Sequence, residues 1–134
     1  MFVPLTSLFA GIMTLFYVRL TLRVVGFRKT YKVLLGDGGH DVLKAAISGH
    51  ANFAQYAPLG VLLSFLCEIQ GVSPYFMGPL IILFMAGRVI HYIALTNFTL
   101  KDPIRIRRLG MRLTLMPLIL FAVFLIFLSV YRVV

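Results

Sequence analysis

Residues 2–25, 45–69, 75–95 and 109–131 are apolar runs that each meet or approach the roughly 20 residues a helix needs to cross a bilayer. With 60% of its residues hydrophobic and a mean hydropathy of +0.98, the chain carries far more apolar surface than one small soluble core can hide. The expected fold is therefore an all-α integral membrane protein with four spans. Connections this short favour an antiparallel up-down-up-down bundle. Four spans use up the sequence, so residues 1–134 are expected to form a single membrane domain. No sequence repeat of fixed period interrupts that reading.

The first run is read as a retained helix, because it lacks a positively charged leader segment and a small-x-small cleavage site. Cys67 is the only cysteine, which excludes intrachain disulfides and thiolate zinc clusters. The net charge of +9 is distributed as a topology signal. Arg19, Arg23, Arg28, Lys29, Lys32 and Lys44 surround the first connection, Lys101, Arg105, Arg107, Arg108 and Arg112 the third, and the second has no Lys or Arg. The positive-inside rule then places the first and third loops in the cytoplasm and both termini on the other side. Nucleic acid is not expected as a partner; membrane lipid, with anionic headgroups, is.

Between Ser48 and Pro58 the second run carries His50, Asn52, Gln55 and Tyr56, an unusual polar cluster inside a span. Ser48, Asn52 and Gln55 fall on one helical face that Leu59 and Leu62 continue, while His50 points elsewhere and Pro58 is expected to kink the helix. Arg88 stands inside the third run, on one face with His91 and Leu95. A guanidinium there costs about 2.5–3.5 kcal/mol on insertion scales, so it needs partners: polar groups of the second helix such as Asn52 and Gln55, or an anionic ligand. Acidic residues offer none, since Asp37, Asp41 and Asp102 belong to loops or helix starts and Glu68 to the opposite membrane face. Asp41 is placed to cap the second helix, after a turn at Gly36, Asp37, Gly38 and Gly39. A proton-coupled transporter usually needs an intramembrane carboxylate, so a small transporter is the weaker alternative. His50 and His91 lack neighbours at ligand spacing, and no metal site is expected. Arg107, Gly110, Met111 and Thr114 share one stripe of the fourth helix.

Asn52-x-x-Gln55-Tyr56-x-Pro58, Gly87-Arg88-x-x-His91 and Arg107-x-x-Gly110-x-x-x-Thr114, with the basic segment 28–32, resemble the MAPEG family, the membrane-associated proteins in eicosanoid and glutathione metabolism. The likeness covers nearly the whole chain and is greatest to the small bacterial branch. It implies a four-helix homotrimer in a bacterial inner membrane, with glutathione as co-substrate held between subunits by Arg28, Asn52, Gln55, Tyr56, Arg88 and His91. It further implies that Arg107 stabilises the thiolate for transfer to, or reduction of, a small hydrophobic substrate. Ser48, Gln55 and Leu95 stand where family enzymes carry an arginine, an acid and a tyrosine. The alternative is a non-catalytic bundle that binds lipid or a partner protein.

Overall fold

The computed structural model describes residues 3–131; Phe2, expected to open the first span, lies outside them. The described residues form four helices and no strand: α1 Pro4–Tyr31, α2 Asp41–Ile69, α3 Pro74–Thr96 and α4 Pro103–Tyr131. At about 1.5 Å per residue the helices of 28 and 29 residues reach some 42–44 Å, well past a hydrocarbon layer of about 30 Å. The surplus lies at the basic end. α1 runs through Arg28 and Lys29, and α4 starts two turns earlier than its apolar run, at Pro103. Helical hydrogen bonding carries on past the apolar segment because charged side chains keep their heads in water while their stems lie along the helix.

Chain punctuation sets each helix end. α1 closes with Lys32 in the left-handed conformation (φ 56°), its N–H and that of Val33 returning to the carbonyls of Lys29 and Arg28. Gly36, Gly38 and Gly39 all take positive φ in the turn that follows. The cap position of α2 is His40 rather than Asp41, and no side chain bonds into that helix start. Asp41 is the first helical residue, where its charge still faces the positive end of the helix. Asp102 caps α4 instead, its Oδ1 accepting the Arg105 N–H at 2.9 Å, with Pro103 at the first helical position.

Over an 18-residue stretch α1, α3 and α4 are apolar enough to span a membrane; α2, diluted by its polar residues, is not. Its 29 residues nonetheless pack along α1 and α3, connected to them at opposite ends, so it crosses with them. Pro58 lies inside α2, which continues through it to Ile69. The most extensive helix pairing is α3 on α4, followed by α1 on α2 and α2 on α3. Gly60 of α2 makes room for the ring of Phe84, and Phe9 of α1 meets that ring edge-on at 5.7 Å. Cys67, Met77 and Phe121 continue the core towards the other end, all three fully buried.

At that end Glu68 has a structural role that sequence reasoning did not find. Its Oε1 accepts the Leu5 N–H at 3.0 Å and its Oε2 the Thr6 N–H at 2.8 Å. Pro4 has no N–H, and the Ser7 N–H returns to the Val3 carbonyl, so the start of α1 leaves no orphan donor. A carboxylate of α2 thus caps α1 where no local side chain does. Glu68→Ala is expected to destabilise the folded protein by about 1–2 kcal/mol, the range for lost caps, with a lower melting temperature in detergent. Glu68→Gln should recover part of that loss, and equal melting of Glu68→Ala and the parent protein would refute the cap.

Candidate functional site

The polar constellation is built on the crossing of α3 and α4, whose backbones touch. A Cβ on Gly110 would lie 2.7 Å from the backbone nitrogen of His91, and one on Gly87 would lie 2.8 Å from that of Thr114. Small residues at such positions let membrane helices approach closely. The approach brings the Thr114 hydroxyl, which donates to the Gly110 carbonyl at 2.8 Å, within 2.8 Å of Arg88 Nε, from which it accepts.

Arg88 is the centre of the constellation and is only 2% exposed. One terminal nitrogen donates to Asn52 Oδ1 of α2 at 2.9 Å, the other to Met111 Sδ of α4 at 3.5 Å. The guanidinium carbon stands 4.7 Å from the centroid of the Tyr56 ring, a cation–π contact. One cation therefore holds α2, α3 and α4 together. Three of the five N–H donors of an arginine have partners in this arrangement.

His91 is equally buried and lies one turn nearer the basic end. Its Nδ1 stands 3.3 Å from the Arg107 carbonyl, which makes that nitrogen the N–H donor and leaves buried Nε2 an acceptor with no partner among the described residues. His50 faces α1, where its Nε2 meets the Thr21 hydroxyl at 3.0 Å and its ring stacks on Tyr17 at 4.8 Å.

Of the residues singled out in the sequence, the fold brings together Asn52, Tyr56, Arg88 and His91. Arg107 reaches them through its backbone carbonyl at His91, while Gln55 and Arg28 are not brought to them within one protomer. Gln55 is exposed, as are Ser48, Leu59 and Leu62, so most of the α2 polar stripe faces away from the bundle. The Arg107 side chain is exposed at the basic end, beside Met111. Arg28 donates to the Leu34 carbonyl at 3.0 Å in the first loop. Thr114 and Gly87 carry more of the geometry than sequence reasoning gave them. The signal was the spacing of small residues, Gly110 and Thr114 four apart, opposite Gly87.

The family model that matches this chain is the MAPEG family, over residues 6–127. The chain belongs to the MAPEG family. Among curated relatives it is similar to "Inner membrane protein YecN" of Escherichia coli K12, with 32% identity over 87 residues, 65% of this chain and 66% of that protein. The protein of the same name from strain CFT073 matches to the same extent. The chain thus spans just under two thirds of the length of the curated relatives it matches. The MAPEG match takes in α2 and α3 whole and most of α1 and α4, and includes every residue of the Arg88 constellation.

If the α3–α4 contact sets this geometry, Gly110→Ala is expected to cost about 1–3 kcal/mol or more by overpacking, read as loss of folded protein after purification. Gly78→Ala on the same α3 meets nothing within 4 Å and should be neutral or stabilising. Equal recovery of the two variants would show that the backbones are not in contact.

Proposed function

We propose that this protein is a glutathione-dependent transferase or peroxidase of the bacterial inner membrane, acting on small hydrophobic electrophiles. Membership of the MAPEG family supports the class, and the name of the E. coli relatives supports the location. The observation that carries the reading is electrostatic: Arg88 fixes Asn52 and Tyr56 beneath a rim of exposed cations that includes Arg107. The carboxylates Asp37 and Asp102 nearby bind backbone N–H groups of their own turns. Such a surface favours a ligand that, like glutathione, is anionic, and planar guanidinium groups suit its carboxylates. Arg88, with Asn52 already bound, acts mainly as a positioning residue, while His91, Gln55 and Arg28 supply further contacts.

The chemistry asked of the protein is modest. A cation near the sulfur lowers the thiol pKa and raises the thiolate fraction. The thiol proton leaves to water, the sulfur lone pair forms the new bond to the electrophilic carbon, and the leaving group departs with its electrons. Arg107 is our choice for that cation. The first and third loops face the cytoplasm, where the thiol is supplied.

We further propose a homotrimer. Ser48 and Gln55 project from α2 into surroundings where polar side chains need partners, and a second copy of the chain supplies them. Arg28 of one copy then completes a site whose other residues belong to its neighbour. That Arg88 is engaged inside the protomer also suits a second reading, a bundle that binds an anionic ligand without turning it over.

Calorimetry on detergent-purified protein should show heat on titration with millimolar glutathione, and its absence would exclude the enzyme. Arg107→Ala is expected to lower kcat/KM for a model electrophile roughly tenfold or more. Its rate profile should also move to higher pH, because the thiol then ionises later; an unchanged profile would assign thiolate stabilisation elsewhere. Crosslinking through the exposed lysines with a bifunctional amine reagent in native membranes should produce a trimer, and a ladder that stops at the dimer would refute it.

A further inference from the structure

Met111 joins the Arg88 constellation through its sulfur, an atom for which the catalytic reading has no use. A terminal N–H of Arg88 donates to Sδ at 3.5 Å. A thioether sulfur has two lone pairs and is a weak acceptor, so this contact occupies one of them and leaves the other. Met111 is itself half-buried and lines an open hollow of about 470 Å³ on α4, with Arg107, Arg108 and Arg112 around it. It stands at the start of the α4 apolar run, within reach of water at the basic end. The sulfur thus lies between a buried guanidinium and a cationic hollow.

Other methionines are placed differently. Met13 and Met77 are buried in the core, and Met85 is half-buried against it. Met116 is 48% exposed, but it lies about 7.5 Å further along α4 and about 140° round the helix from Met111, and no described group donates to its sulfur. Exposure alone therefore favours Met116, and the local chemistry favours Met111.

We propose that Met111 is a selective oxidation site for hydroperoxides, which convert it to a single epimer of methionine sulfoxide. The free sulfur lone pair attacks the terminal peroxide oxygen, and the S–O bond forms as the O–O bond breaks. Sulfur is oxidised by two electrons and the peroxide is reduced. The leaving oxygen departs with the bonding pair, and the proton of the transferred hydroxyl reaches it through water, giving the sulfoxide and water or an alcohol. Negative charge grows on the leaving oxygen during this step, and the three arginines around the hollow stabilise it there. The Arg88 N–H withdraws some density from sulfur, but it also makes the attack one-sided. A sulfoxide sulfur is a stereocentre, so blocking one lone pair selects one epimer. The new oxygen enters the hollow beside Arg107, the cation chosen for the thiolate. Competition with the thiol rests on the glutathione reading; the modification does not.

Titration of the full-length protein in detergent with hydrogen peroxide, without thiol, followed by proteolysis and peptide mass spectrometry, tests this. Met111 should gain one oxygen severalfold faster than Met116. Reductases specific for each sulfoxide epimer are then applied to the peptides. One should restore nearly all of the Met111 peptide and the other little, whereas each restores about half of the Met116 peptide. Protein unfolded before oxidation should lose both preferences. Arg107→Gln with Arg108→Gln, both exposed, should slow Met111 about two- to fivefold and leave Met116 unchanged, as exposed charge interactions allow. Oxidation of Met116 as fast as Met111 overturns the proposal, as does equal repair of the Met111 sulfoxide by the two reductases. Glutathione binding is read separately by calorimetry, so the failure of either reading is distinguishable from that of the other.

Discussion

A guanidinium inside a bilayer must find its hydrogen-bond partners in the protein, and in this chain those partners come from two other helices. Thr114 and Met111 lie on α4, Asn52 and Tyr56 on α2, and Arg88 itself on α3. A slide of either neighbour by one turn would remove at least one of these contacts, and a buried donor left without its partner costs about 1–3 kcal/mol. Apolar packing alone allows many registers between membrane helices, since lipid tails are as apolar as leucine. The arginine therefore contributes specificity of arrangement more than net stability.

That role depends on backbone proximity. Arg88 Nε reaches Thr114 Oγ1 because Gly87 and Gly110 bring the α3 and α4 backbones into contact, and the same contact leaves the His91 imidazole facing the Arg107 carbonyl. On the other side of α3, Gly49 accepts the Tyr92 ring and Gly60 the Phe84 ring. Glycine's low helix propensity is offset here by van der Waals contact with rings on α3. α2 is consequently asymmetric, with glycines towards α3, aromatic and imidazole contacts towards α1, and Ser48 and Gln55 exposed.

The sequence conveyed the number of helices and their order because apolar run length and basic loops are first-order properties of the chain. It also conveyed that Arg88 and Asn52 belong together, since a cation in a span demands a polar neighbour and Asn52 was among the few available. Three features were not legible, two because they depend on distances between helices and one because it depends on the backbone torsions of a turn. Glu68 read as an acid at the far face, and only the packed bundle shows that it caps α1. The outward direction of Gln55 was hidden by a stripe that periodicity groups with Asn52, although the half-buried Asn52 sits at the edge of that face nearest α3. His40, not Asp41, takes the cap position because the three positive-φ glycines set where the chain can first turn helical.

The distribution of carboxylates is what joins the assembly to the chemistry. The chain has four acids against 13 lysines and arginines, and Glu68 serves the helix start at the end away from the cations. At the basic end Asp37 and Asp102 are bound into turns, leaving Asp41 in a helix first turn. Cations at that end consequently repel one another without internal relief, and their repulsion falls when anions arrive from outside the protomer. The thiol peptide proposed near Arg107 would supply such anions. Its affinity would then fall as ionic strength rises, since the field of the exposed cations reaches roughly a Debye length, about 8 Å at physiological salt. Beyond that range screening isolates the cations, so those nearest the ligand would carry the attraction.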